Sequence, residues 1–233
     1  MTAGGYEADE LAMVEHLLGK VDVLVDAGAH YGFYLCVSQK HGVPVIAFEP
    51  DTMNVGMIAK NLGANGWGSD VVVIQAGVGY ERGFFQFRGG GSGGTLSQGY
   101  SSAPRSQVQT IPVVRMDDVV HLQDRKALII VDVEGFELAA LKGAEGILAN
   151  QNRPIVMVEV FLEELTGDPP KLREDYPKLF KYMEDAGYQA YFFGDTLERI
   201  DPAEFARRFA AGDRDLPSGN FLFASKEDAS LLQ

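Results

Sequence analysis

Cysteine is almost missing from this chain: Cys36 is the single one among 233 residues. No intrachain disulfide can form. Basic residues are also scarce. Twenty Lys and Arg face 33 Asp and Glu, a formal net charge of −13. That balance disfavours nucleic acid as a partner, because phosphate binding needs a basic footprint. It equally disfavours an anionic membrane surface, and it leaves a neutral or cationic small substrate open. No apolar run approaches the roughly 20 residues that span a bilayer, so no membrane span is expected. Met1-Thr2-Ala3-Gly4-Gly5 lacks a basic stretch followed by an apolar one, so no signal peptide is read there. With the lone thiol, these absences point to the cytoplasm. Oligomeric state is not legible, and a homo-oligomer is compatible with everything above.

The stretch Val21 to Gly32 organises the rest. A mostly apolar run ends in Asp26, and a turn carrying Gly28 and Gly32 follows. This pattern predicts a buried parallel strand feeding a helix. Glycine in such a turn allows close backbone approach to a bound molecule, and the helix start adds unpaired N–H groups. The turn is of a nucleotide-binding type.

Around it the chain alternates. Leu11, Val14, Leu17 and Leu18 predict a leading helix over about 8–19. Further strands are predicted at Val43–Phe48, Val71–Gln75, Leu128–Val131, Ile155–Val158, Tyr188–Phe193 and Asn220–Ala224. Helices are predicted over 30–40, Asp51–Asn61, 136–149, the segment carrying Leu172 to Met183, and a short one near Phe205 and Phe209. Gly83–Arg88 and Val108–Val114 read as strands beside a glycine-rich insertion over about 89–106, and the tail after Ser225 as a fraying end. The expected fold is α/β: a doubly wound, Rossmann-like sheet of seven strands with helices on both faces. A long irregular connection makes the last strand antiparallel. The whole chain, 1–233, reads as a single domain.

Ligands of open α/β sheets sit at the carboxyl ends of the strands. Four strand tips here carry Asp26, Glu49, Asp132 and Glu159. An acid at the second tip suits a ribose, because a carboxylate only accepts hydrogen bonds and a diol offers two donors. NAD and S-adenosylmethionine both carry that ribose. The dinucleotide fingerprint needs G-x-G-x-x-G, whereas Gly28-Ala29-His30-Tyr31-Gly32 lacks the second glycine. Asp26 would repel a pyrophosphate and suits the ammonium end of a methionine moiety.

These residues resemble the FkbM-type S-adenosylmethionine-dependent methyltransferases over roughly residues 20–225. Asp26-Ala27-Gly28-Ala29 with Gly32 and Tyr34 looks like the first motif of that family. Phe48-Glu49-Pro50 resembles its second, with Asn61 and Asn65 downstream. The most specific piece is Asp132-Val133-Glu134-Gly135-Phe136-Glu137-Leu138, continuing through Leu141-Lys142-Gly143-Ala144. Pro154 with Glu159, and Asn220-Phe221-Leu222-Phe223, complete the likeness. The family usually has Asn where this chain has His30, and either side chain can hydrogen-bond a cofactor or act nearby. The resemblance implies a class I methyltransferase acting on a hydroxyl of a sugar, glycan or polyketide-like molecule. The candidate cofactor-binding set is Asp26, Gly28, His30, Gly32, Glu49, Pro50, Gln75, Ala76 and Asp132.

A hydroxyl acceptor must lose its proton, and a carboxylate or imidazole within hydrogen-bond reach can take it. Asp132 is the first candidate, followed by Glu134, Glu159 and His30. Glu134 also reads as an acid offsetting a helix dipole. Asp132 and Glu159 on adjacent tips could instead hold Mg²⁺, as tip placement in catechol O-methyltransferase suggests. The insertion reads as a lid, with Tyr100 and Arg105 as substrate contacts. Two rivals stay open: an NAD-dependent oxidoreductase, and a non-catalytic cofactor-binding or assembly domain.

Overall fold

Val23–Ala27 is buried at every position and forms an interior strand of the main sheet. A computed structural model of the protein describes residues 8–89, 94–96, 108–160, 174–193, 197–213 and 219–232. In chain order these form α1 (Ala8–Leu18), β1 (Val23–Ala27), α2 (Phe33–Lys40), β2 (Val45–Phe48), α3 (Thr52–Asn65) and β3 (Val71–Ile74). Then come β4 (Gly77–Val78), β5 (Gly83–Arg88), β6 (Val108–Val114), α4 (Met116–Val119), β7 (Ala127–Val131), α5 (Glu137–Lys142) and α6 (Glu145–Leu148). The rest are β8 (Ile155–Val160), α7 (Asp175–Asp185), β9 (Tyr188–Phe193), β10 (Leu197–Ile200), α8 (Pro202–Ala210) and β11 (Gly219–Ser225).

The main sheet has the order β10-β9-β11-β8-β7-β1-β2-β3. β1 pairs in parallel with β2 and with β7, placing Asp26 opposite Ala47 and Ile130. The order therefore reverses at β1, which opens a crevice at its carboxyl end. β11 runs antiparallel to both β8 and β9, as expected of the last strand. The strand count is a correction: among the described residues the sheet has eight strands, not seven. The extra one, β10, is a four-residue edge strand whose centre is Glu198 and Arg199, too short and too charged to stand out as a strand. β4, β6 and β5 form a separate three-stranded sheet, with β6 pairing β5 antiparallel.

Two hydrophobic clusters cover the two faces of the main sheet. Val23, Val25, Ile129 and Val131 belong to one, Leu24, Leu128, Ile130 and Met157 to the other. Among the described residues no helix is long and apolar enough to cross a membrane.

Several expected boundaries shift for local reasons. The helix expected from residue 30 starts at Phe33, because His30 (φ 51°) and Gly32 (φ 83°) both adopt left-handed backbone. The helix expected over 136–149 breaks into α5 and α6 at Gly143. A Cβ there would lie 2.0 Å from the Gly79 carbonyl oxygen, so the chain is pressed against the β4 segment at that point. The tail does not fray: Asp228–Leu232 makes a 3₁₀ turn, Leu232 is buried, and the Leu231 carbonyl lies 3.0 Å from His16 Nε2. The Pro169-Pro170 and Leu172 part of the expected helix lies outside the described residues.

The helix after β2 is longer than expected and well capped. Asp51 Oδ1 accepts from Met53 N–H at 2.7 Å and Asn54 N–H at 3.2 Å. Asp51→Ala is expected to cost about 1 kcal/mol, read as a lowered denaturant midpoint at unchanged slope.

Candidate active site

Side chains alternate along a strand. Asp26 shares the parity of Leu24, Asp132 that of Ile130, Glu159 that of Met157, and Glu49 that of Ala47. Those four apolar residues all lie in the second cluster. Asp26 in β1 and Glu159 in β8 therefore project from one side of the sheet, while Asp132 and Glu49 follow directly after the ends of β7 and β2.

A cavity of about 160 Å³ opens at this edge. It is lined by Gly28 and His30 after β1, by Phe48, Glu49 and Pro50 at the end of β2, by Asp132, Val133 and Glu134 after β7, and by Ala76, Gly77 and Val78. Asn54 of α3, and Phe87, Gly94 and Leu96, complete the lining. Arg88 and Thr95 exchange two backbone hydrogen bonds of 2.9 Å. The Thr95 hydroxyl donates to the Glu134 carbonyl at 2.5 Å, tying the residue before Leu96 to the β7 tip.

Gly28 lines the cavity, but its stricter constraint is internal. With φ at +96°, a Cβ would stand 1.7 Å from the Asp132 carbonyl oxygen. Asp132 N–H in turn donates to the Ala27 carbonyl at 3.0 Å. The close backbone approach expected toward a ligand is thus also an approach between the β1 and β7 tips, and it sets where Asp132 stands.

Glu49 is 4% exposed yet faces the cavity. Oε1 accepts from Asp51 N–H at 2.8 Å and Asn54 Nδ2 at 3.2 Å; Oε2 accepts from His30 N–H at 2.8 Å. Three donors hold a group with about four acceptor sites, so Oε2 keeps capacity for a ligand hydroxyl. Burial raises the Glu49 pKa, and these three hydrogen bonds oppose that. At residue 30 it is the backbone N–H that orients Glu49. The left-handed conformation explains why Asn and His both suit the position, since both tolerate it better than most residues. The His30 ring lies 3.7 Å from the Tyr31 ring, and its buried Nε2 has no hydrogen-bond partner. Burial lowers its pKa, against the pull of Asp132 and Asp51.

Asp26 does not line the cavity; it is 2% exposed, with Oδ2 buried and without a hydrogen-bond partner. Burial first, then the charges of Asp132 and Glu49, push its pKa up to about 7. Glu159 does not line the cavity but hydrogen-bonds Asp132 from the neighbouring strand. Burial holds its pKa far above the ordinary carboxyl range, reinforced by Asp132 and more weakly by Glu134 and Glu137. The two carboxyls stand close together, and like charges at close range oppose the ionisation of both.

Two further expected cofactor positions, Gln75 and Gly32, fall away from the cavity. Gln75 is exposed and donates to Thr52 Oγ1 at 2.8 Å, away from the cavity. The chain turns one residue early, with Ala76 N–H on the Ile74 carbonyl at 2.9 Å. Gly32 caps α2 against Ile58 and does not line the cavity. Glu134 (φ 51°) sits in the loop before α5, whose first-turn acid is Glu137. Tyr100, Arg105 and most of the expected lid lie outside the described residues. The magnesium reading is not supported: among the described residues no group of three or more His, Cys, Asp or Glu is placed to hold a metal ion. Asn54, Phe87 and Leu96 were not anticipated. Asn54 sits five residues after Glu49, within reach as soon as Asp51 caps the helix.

A family model described as the methyltransferase FkbM domain matches residues 26–190, well over half of the chain. The chain belongs to the FkbM methyltransferase family. The matched span runs from Asp26 past Glu159, so it contains the whole tip cluster of this FkbM protein. No curated protein matches the sequence. Among solved structures, a putative rRNA methylase from Clostridium thermocellum gives a TM-score of 0.52 at 12% identity, over 96% of each chain. An rRNA methylase from Streptococcus thermophilus gives 0.51 at 12% identity, over 97% of this chain and 99% of that one. At such identity the likeness is one of fold. Family and fold together set aside the nicotinamide-dependent oxidoreductase. The donor that the methyltransferase fold implies is S-adenosylmethionine, and the residues fit it. A buried carboxylate with an unpartnered oxygen suits a cation, and Glu49 Oε2 suits a ribose hydroxyl.

Proposed function

We propose that this protein is an S-adenosylmethionine-dependent O-methyltransferase, a single class I domain acting in the cytoplasm on a hydroxyl of a small organic acceptor. The carrying observation is that Asp132 lines the cavity at the β7 tip with the Glu159 carboxyl beside it on the neighbouring strand. When bound, the donor supplies an electrophilic methyl group on a positively charged sulfur. Asp132 takes the proton of the acceptor hydroxyl, and the Glu159 hydrogen bond orients it. Glu49 holds the ribose hydroxyls, and Asp26 offsets the positive charge of the donor. Gly28, His30, Pro50 and Ala76 shape the cavity, and Leu96 helps exclude water. The net charge of −13 speaks against a nucleic-acid acceptor. Intact acids at all four tips speak against a silent assembly domain. Calorimetric titration with S-adenosylhomocysteine tests donor binding. A gain of one methyl group by mass spectrometry tests turnover.

Asp26 yields a separate prediction. Its folded pKa is about 7 against an ordinary 3.8, so between these values the folded chain holds a proton that the unfolded chain has released. Its stabilising contribution is complete below about pH 4 and is lost as pH rises through 7. Asp26→Asn is expected to stabilise the ligand-free protein at pH 8 by roughly 1–4 kcal/mol. It is also expected to weaken S-adenosylmethionine binding about tenfold. Melting curves at pH 5 and pH 8 with and without donor read both effects. A variant that binds the donor normally would remove Asp26 from the site.

A further inference from the structure

We propose that a groove next to the donor cavity is the acceptor site, and that it selects a hydroxylated molecule with an apolar, ring-bearing body and an anionic group. This rests on the methyltransferase reading of the donor cavity. The groove has a volume of about 380 Å³, against about 160 Å³ for the donor cavity. That lies within the usual range for small-molecule sites.

The two spaces are neighbours in the fold. Leu96 lines both, and Glu134 of the cavity lining is followed directly by Gly135 of the groove. Glu137, also in the groove, is close enough to act on the charge of Glu159. A molecule lying in the groove therefore sits beside the Leu96 and Glu134 side of the donor cavity.

The lining decides the chemistry. Four rings, Tyr80, Phe85, Phe136 and Tyr176, arrive from separate parts of the chain. Rings of this kind offer flat apolar area with preferred stacking geometry. Three charged side chains share the groove, and two are already engaged. Glu137 is buried and accepts from Gly135 N–H at 2.6 Å and from the Tyr176 hydroxyl at 3.5 Å. Asp175 pairs with Lys178 at 3.6 Å. The third, Lys142, is exposed and has no hydrogen bond or ion pair among the described residues. A neutral free sugar would leave this ammonium without an anionic partner. An apolar body with a carboxylate, sulfonate or phosphate uses both features. Lys142 also lies in the last turn of α5, where a cation offsets the helix dipole. A role confined to that would be indifferent to the charge of anything bound in the groove.

The test uses the full chain with S-adenosylhomocysteine present and two fluorescent probes of nearly equal shape. One is 8-anilinonaphthalene-1-sulfonate, the other its uncharged counterpart N-phenyl-1-naphthylamine. Both are expected to bind saturably at one site per chain. Lys142→Gln is expected to weaken the sulfonate about tenfold and leave the uncharged probe within about twofold, with Lys142→Arg restoring the sulfonate. Tyr80→Ala, at a half-exposed ring, is expected to weaken both probes. Equal effects of Lys142→Gln on the two probes, or none, would overturn the assignment, as would the absence of a saturable site. S-adenosylhomocysteine is titrated in parallel. If it binds while the probes ignore the variants, the groove assignment fails alone. If it does not bind, the methyltransferase reading falls and takes the acceptor role with it.

Discussion

Asp132→Asn is expected to lower turnover by about 10²–10⁴-fold, the range that a positioned general base supplies. The amide keeps the shape of the side chain but cannot take the hydroxyl proton. Affinity for S-adenosylhomocysteine should change by less than about tenfold, because Glu49 and Asp26 carry the donor contacts argued above. The loss therefore falls on the chemical step and not on donor binding. Glu159→Gln separates the members of the pair. Its amide still donates to Asp132, so most activity should survive, whereas Glu159→Leu leaves Asp132 without that donor and should lose far more. Single-turnover rates with saturating donor read these effects. Full activity in Asp132→Asn would dismiss Asp132 as the base.

The second large effect is structural and comes from a smaller change. Gly28→Ala places a methyl group where 1.7 Å separates it from the Asp132 carbonyl oxygen, on backbone at φ +96°. The near atom is backbone of a buried strand end, which cannot swing aside as a side chain could. The β1 and β7 tips must part, breaking the hydrogen bond from Asp132 N–H to the Ala27 carbonyl. A cost of about 3 kcal/mol or more is expected from strain and overpacking together. For a chain of this size that lowers the melting temperature by roughly 6–12 °C. Because the same shift moves Asp132, the folded fraction should also be impaired in turnover. A Gly28→Ala variant with unchanged melting temperature would mean that the tips are not in contact.

The acids at the strand tips were legible in the sequence. The period of two along a strand places Asp26 and Glu159 on the side of Leu24 and Met157, and β1 was recognisable as the strand feeding the glycine turn. Gln75 shows where such reasoning breaks down. Its parity matches Val71 and Val73, but the strand ends at Ile74 and a tight turn carries the side chain out to Thr52. Parity holds only as long as the backbone stays extended. β10 escaped notice for a different reason: an edge strand needs one partner and one covered face, so Leu197 and Ile200 around two charges leave almost no pattern.

What the sequence determined by itself is local and periodic: an alternating α/β chain, acids at the strand tips, a glycine turn too short of glycine for a pyrophosphate, and a charge hostile to polyanions. These follow from side-chain period, hydrogen-bonding capacity and net charge, none of which needs a partner distant in the chain. Tertiary structure alone decided that Glu159 stands beside Asp132, that Gly28 answers to the carbonyl of a residue more than a hundred positions away, and that a ring-lined groove shares Leu96 with the cavity at the strand tips. Each of these depends on which strand lies beside which, and strand order is set by how the whole chain packs its two faces.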